Sequence, residues 1–450
     1  MKAVGLVTEY NPFHEGHMYH IEQAEKITGS DVAVVVMSGD FVQRGEPAIV
    51  DKYTRASMAL KGGADLVIEL PTLYATASAE RFAFGAVSIL HFMGIDSICF
   101  GSELGDAGML ETIAGILYEE PKEYSEAIKR YAAGGDAFPK ARRNALAEYI
   151  ELTGMKNVDA AVLDSPNNLL GIEYIKAIKR FSSSMEICTI QRKGQGYNDI
   201  SVPCDGNVAS AAAIRNILTG NKCVNKSVNA VTSSDGSAGM EYEATEAMEA
   251  TEAMETKKAM ETKKVMEAID SIPECARDIF RDAVGSGMVM TPDDFSYLLN
   301  YKIYSVMRDD SALLLNYSDV GMQLANKISR LYGKEHFDGS WNELIMKLKS
   351  RELTYTRISR ALTHILLDIK LDAWNNPPQY ARILGFDKAG SDYLGAIRKT
   401  CAIPLITKVA DESWLLKNDI YAADVYNQTV YEKCGIRIEN DFRHGIIRMQ

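Results

Sequence analysis

Over the first hundred positions, apolar residues fall in short unbroken runs separated by stretches of mixed character. Ala3 to Val7 (AVGLV), Asp31 to Met37 (DVAVVVM), Asp65 to Leu70 (DLVIEL) and Ser97 to Phe100 (SICF) are such runs. Their length and β-branched content predict buried strands. Between them, Lys52 to Lys61 reads as a helix ended by Gly62-Gly63, and Ala79 to Met93 as a second helix. Continuous apolar strands alternating with helices predict an α/β fold with a Rossmann-like, doubly wound parallel sheet. Ligands of such sheets bind beyond the carboxyl ends of the strands. That rule gathers Tyr10 to His17, Ser38 to Glu46 and Gly101 to Glu103 around one crevice.

The pattern then changes. Residues 107 to 181 read as helical, with Ser165-Pro166-Asn167-Asn168 as a helix start inside them. Met185 to Arg192 alternates like a strand and leads into the basic, glycine-rich turn Arg192-Lys193-Gly194-Gln195-Gly196. In Ala209 to Arg215, Ser210 is placed to cap a helix and Arg215 lies one turn in. Ser227 to Gly239 is linker-like, and a hexapeptide then repeats four times from Glu243 to Met266. A period of six advances about 600° around a helix, so the repeated methionines form no single apolar seam. Residues 270 to about 400 are again helical, with Phe295 to Met307 and Leu353 to Leu371 the clearest runs. The expected division is a sheet-bearing unit over 1–225 with a helical insertion, a linker and repeat over 226–268, and a mainly helical unit over 269–450.

At 450 residues, 46% hydrophobic and 24% charged, the composition is that of a globular chain with room for two or three cores. The N-terminus offers no signal-peptide pattern, and no window reaches the roughly 20 apolar residues of a membrane-spanning helix. The seven cysteines are scattered, with no C-x-x-C, which argues against a disulfide framework or a zinc site and for a reducing cytoplasm. A formal charge of −12 weighs against a nucleic-acid partner, although local distribution matters more than the sum. One such local excess exists. Between Asn326 and Ala361 eight Lys/Arg stand against four Asp/Glu, with Tyr355 interleaved. Lys347, Lys349, Arg351, Arg357 and Arg360 are the candidate RNA contacts, the bland alternative being a solvated helix face.

The candidate chemistry lies just after the first strand. Asn11-Pro12-Phe13 breaks the apolar pattern, and His14-Glu15-Gly16-His17 then opens the helical MYHIEQAEKI. A strand, a tight loop and a helix N-terminus make an anion site, and two imidazoles add donors to it. Two histidines three apart also fit a metal half-site or a polar helix start. In this order of elements, the pattern resembles the signature of the nucleotidyltransferase and class I tRNA synthetase superfamily. The loop Ser38 to Pro47 reads as a lid or substrate loop, or as plain surface.

Taken together, EYNPFHEGH, MSGDFVQRGEPAIVDKYTR, DLVIELP, FGSE, SPNN, the Arg192 turn, ELTYTRISRAL and GFD resemble the bacterial tRNA(Met) cytidine acetate ligase family. The resemblance implies that acetate attacks the α-phosphate of ATP to give acetyl-adenylate. The wobble cytidine of elongator tRNA(Met) then takes the acetyl group, leaving N4-acetylcytidine. It implies an ATP site of Val7, Thr8, Glu9, Tyr10, Asn11, Pro12, Phe13, His14, Glu15, Gly16, His17, Met18, Tyr19, His20, Gly101, Asn167, Arg192 and Lys193. His14 and His17 would stabilise charge, Mg²⁺ would serve the pyrophosphate, and the helical C-terminal unit would bind tRNA. Asp40 is the candidate general base for the cytidine step. Two positions depart from the pattern: Glu15 between the histidines, and Ala212 where a hydroxyl is expected. A small-molecule adenylyltransferase, or an RNA-binding protein with a vestigial nucleotide site, are the alternatives.

Overall fold

The computed structural model of the protein describes residues 1–192, 210–220, 263–374 and 376–449. The sheet-building half runs β1 (Ala3–Thr8), α1 (Glu15–Thr28), β2 (Val32–Ser38), the hairpin β3 (Phe41–Val42) and β4 (Glu46–Pro47), α2 (Lys52–Lys61), β5 (Leu66–Leu70), α3 (Ala79–Met93) and β6 (Ser97–Ser102). The helical insertion is α4 (Ala107–Glu119), α5 (Lys122–Ala133), α6 (Phe138–Thr153) and α7 (Pro166–Arg180), followed by β7 (Glu186–Gln191) and α8 (Ala211–Leu218). Then come α9 (Glu274–Gly285), α10 (Ser296–Met307), α11 (Met322–Lys334), α12 (Trp341–Leu348) and α13 (Tyr355–Leu366). The chain closes with β8 (Ala381–Phe386), α14 (Lys388–Ile397), β9 (Leu405–Ile406), α15 (Lys417–Cys434) and β10 (Ile447–Arg448). Of the hexapeptide repeat, only residues 263–266 lie within the described residues, and they are helical.

The sheet has eight strands in the order β7-β6-β1-β2-β5-β8-β10, with β9 beside β8. β1 pairs in parallel with β2 on one side, Ala3 opposite Val32 through Thr8 opposite Met37, and with β6 on the other. The order therefore reverses at β1, and the crevice beyond β1 and β6 is the switch point where a doubly wound sheet takes its ligand. The parallel, doubly wound architecture expected from the alternation is present.

The C-terminal stretch departs from the expected helical reading. β8 lies antiparallel to β5, with a register shift between Val67 and Ile68, and β9 and β10 add to it in parallel. β8, β9 and β10 thus complete the N-terminal sheet. β8 is six residues long and carries Arg382, so it forms no extended apolar run. Three cores result. Leu90, Ile113 and Ile175 cover one face of the sheet, and Ile21, Met58 and Phe280 the other. The third lies among α10 to α13 and α15, and Phe41 of the hairpin enters it 5.6 Å from the Phe295 ring.

The hairpin is a wedge and not the open lid that its polar sequence suggested. Gly45 has φ +74°, and a Cβ there would stand 2.3 Å from the backbone nitrogen of Arg360. Its carbonyl accepts hydrogen bonds from Ser359 Oγ at 2.6 Å and Thr363 Oγ1 at 2.8 Å. Only glycine satisfies both the left-handed backbone and this contact.

Behind the hairpin lies a buried ionic cluster. Lys52 Nζ is 3.0 Å from Glu69 and 2.9 Å from Asp441. Arg382 bridges the same two carboxylates at 2.8 and 2.7 Å and donates to Tyr53 Oη at 2.9 Å. His444 stacks on Tyr53 with ring centroids 3.4 Å apart. Buried charges persist only when paired and hydrogen-bonded in this way.

Candidate active site

The turn after β1 is shaped before the histidines begin. Tyr10 has φ 46° and the Asn11–Pro12 bond is cis. Glu9 accepts from the Gln43 N–H at 2.9 Å and Asn11 Oδ1 from the Ile49 N–H at 2.8 Å, which ties the turn to the hairpin and the segment after it. His14 is the N-cap of α1. Its Nδ1 lies 3.0 Å from the Gly16 N–H, while the His14 N–H lies 3.3 Å from Nδ1 of His17. A backbone N–H can only donate, so both Nδ1 atoms accept and both protons sit on Nε2. The rings stack at 3.7 Å, and Tyr10 packs on His17 at 4.8 Å.

Both imidazoles are neutral. Burial, then the positive charges of Arg192 and Arg215, push His14 down to about 3. Burial and the neighbouring His14 and Arg192 hold His17 well below its ordinary value. Burial and Arg192 take His20 to about 4. The head of α1 therefore presents two Nε2–H donors beside two guanidinium charges, a set suited to phosphate oxygens.

Those arginines arrive from distant segments. Arg192 follows β7, and its N–H donates to the Ser102 carbonyl at 2.9 Å. A Cβ on Gly101 would stand 3.3 Å from Arg192 Cγ, so glycine leaves room for that side chain. Arg215 Nη1 donates to the Asn11 carbonyl at 2.6 Å, and Ser210 caps α8 by accepting the Ala213 N–H at 3.1 Å. The cap thus uses Ser210, and the missing hydroxyl at Ala212 leaves the helix start intact. At the far wall Glu103 accepts from Asn167 Nδ2 at 2.6 Å and from the Asn168 N–H at 2.9 Å, joining the end of β6 to the start of α7. Val7, Thr8, Pro12 and Phe13 are backbone or floor, whereas Glu15, Met18 and Tyr19 lie exposed on the outer side of α1. Glu15 therefore faces solvent. Lys193 lies outside the described residues.

The HIGH nucleotidyl transferase family matches residues 1–441. A curated relative from Caldanaerobacter subterraneus, "tRNA(Met) cytidine acetate ligase", is 38% identical over the full length of both chains. One from Clostridium perfringens with the same name is 36% identical over 98% of each. The chain belongs to the tRNA(Met) cytidine acetate ligase family. Among solved structures, Thermotoga maritima TmcAL in its apo form superposes with a TM-score of 0.82 at 27% identity, covering both chains completely. The same protein bound with alpha-thio ATP superposes with a TM-score of 0.79.

Within this member of the ligase family, Asp40 does not join the histidines. It is 3% exposed, accepts the Lys52 N–H at 2.8 Å and faces Lys52 Nζ at 3.8 Å. Burial pushes its carboxyl up to about 6 against the pull of Lys52, and this candidate base sits in the ionic cluster. Of the basic residues on the helical half, Lys347, Lys349, Arg351 and Arg357 are exposed. Arg360 is half-buried and pairs with Asp319 at 3.0 Å. Sequence reasoning missed Arg55, which is fully buried and donates to the carbonyls of Val50, Glu9, Ser38 and Gly39. It missed Glu46 too, whose carboxyl burial drives up between Arg215, Arg44 and Tyr355. The RGEP and DKYTR tracts contain both residues, but charge beside a predicted loop gives no sign of burial.

Proposed function

We propose that this protein activates acetate with ATP and transfers the acetyl group to the wobble cytidine of elongator tRNA(Met). The observation that carries the reading is the pair of neutral, tautomer-fixed histidines facing Arg192 and Arg215 at the switch point. Its support in kind is the ATP analogue held by the homologous Thermotoga protein and the name borne by full-length relatives.

Acetate is ionised at neutral pH, so no base is required for the first step. A carboxylate oxygen attacks the α-phosphorus, the bond to the bridging oxygen breaks, and pyrophosphate leaves. The residues at the head of α1 align the phosphates and receive the charge that develops on the equatorial oxygens. In the second step the cytidine N4 attacks the acetyl carbon, the bond to AMP breaks, and one N4 proton is released. Among the described residues no group of three His, Cys, Asp or Glu is arranged to hold a metal. Mg²⁺ would accordingly be carried in by the triphosphate, as is common for this ion. No helix among the described residues is long and apolar enough to cross a membrane.

Incubation with ATP, labelled acetate and unmodified tRNA, followed by nucleoside analysis, tests the reading. Labelled N4-acetylcytidine dependent on both ATP and acetate is the expected product. Adenylyl transfer to a small molecule with no labelled nucleoside would replace it.

A further inference from the structure

α10 places Leu299 and Ile303 in the helical core with no exposed surface. Its opposite side carries Tyr297, Tyr301 and Tyr304, which are 81%, 68% and 44% exposed. At 100° per residue these three fall within an arc of about 60°, one row along the helix. The helix meets its core mainly with aliphatic residues, so Tyr297 and Tyr301 are not needed there. Three large rings left in water on one face are a surface with an occupant to find.

The neighbourhood names its chemistry. Tyr304 is held in place: its hydroxyl donates to the Phe337 carbonyl at 3.1 Å and its ring packs on Tyr332 at 5.0 Å. Tyr332 packs in turn on Phe337, and the ammonium of Lys347 lies 5.6 Å from the Phe337 ring. A cation thus stands at the margin of the tyrosine row. Lys349, Arg351 and Arg357 lie exposed on the segments that continue from it. Beyond Tyr304 in the same row, Arg308 is taken up by Asp309, with contacts of 2.9 and 3.0 Å. Flat π-faces in a row with a phosphate-neutralising flank are the features that hold unpaired nucleotides.

We propose that the tyrosine face of α10 is a stacking platform for single-stranded RNA bases, with Lys347 engaging the adjoining backbone. The proposal rests on the reading that this protein acts on tRNA, whose loops supply such bases. It adds to that reading a surface that recognises bases by stacking and not by charge alone.

The test compares Y297A/Y301A, Y297F/Y301F and K347A for binding to a short unstructured RNA oligonucleotide and to tRNA across a salt series. Circular dichroism serves as the fold check. Stacking contributes on the order of tenfold in affinity per ring, so the alanine pair should weaken oligonucleotide binding about a hundredfold. Its salt dependence should be unchanged, because no phosphate contact is lost. The phenylalanine pair should bind as the wild type does. K347A should instead flatten the salt slope. Wild-type affinity in a folded alanine pair overturns the proposal and leaves the face to a protein partner. Loss in the phenylalanine pair equal to that in the alanine pair overturns it as well, since hydroxyl contacts would then be the cause. Wild-type protein that binds the oligonucleotide but acetylates no tRNA would sink the functional reading alone and spare the platform.

Discussion

Each of the two histidines proposed to act on the phosphates is a neutral donor whose proton position is set by one backbone N–H. Replacing His14 or His17 with alanine removes a donor aimed at developing charge, a loss of about 10²–10³ in rate for comparable sites. Acetate-dependent ATP consumption by the purified variants checks this, and near-normal turnover in both would relocate the site. The same residues set a pH dependence of stability. Unfolded His14 titrates near its ordinary 6.5, but folded His14 only at about 3. Below 6.5 the unfolded chain therefore binds a proton that the folded chain refuses. The stability held above pH 6.5 drains away as pH falls toward 3. At pH 5, His14 alone accounts for about 2 kcal/mol of loss. Urea melts at pH 7 and pH 5 should show the drop, and H14Q should reduce it. The motif was legible as two histidines around a glycine. Their tautomers were not, because they depend on which N–H reaches Nδ1. Asp40 reads from sequence as part of the histidine crevice, because its partners in the ionic cluster lie up to about four hundred residues away, Asp441 among them.

At the scale of elements, the strands and helices of the first hundred residues were readable because each buried strand is a continuous apolar run. α3 begins and ends at the residues its pattern marks. β8 escaped notice because six residues with an arginine at the second position resemble neither an alternating nor a continuous strand. Pro377-Pro378 just before it was the available break signal. The hairpin was read as a loop because its burial comes from α13, a partner that local sequence cannot reveal. Gly45 carries that contact. G45A forces a side chain into a left-handed backbone and against the Arg360 amide. A loss of about 2 kcal/mol or more is expected, seen as a lowered thermal midpoint. tRNA acetylation should suffer more than adenylate formation, because the hairpin joins the crevice to the helical half. Equal loss of both would mean that the hairpin serves stability only.

For the whole molecule, the crevice and the basic surface belong to different cores joined by that hairpin. Replacing Lys347, Lys349, Arg351 and Arg357 with alanine should preserve adenylate formation while tRNA transfer falls and its salt dependence flattens. Arg360 is better left in place, since its pairing with Asp319 supports α13. Wild-type acetylation by the folded multiple variant across a salt series would remove this face from RNA binding. The buried cluster of Lys52, Glu69, Arg382 and Asp441 has a consequence in time. Lys52 and Asp441 are 389 residues apart. At roughly 5–20 residues per second, a ribosome delivers the lysine roughly 20–80 s before its aspartate. Until β8 is made, β5 also has an unpaired edge, the kind of edge that recruits other chains. The nascent N-terminal half therefore waits, incomplete, for segments made hundreds of residues later, and chains released before them would be the ones that chaperones must hold.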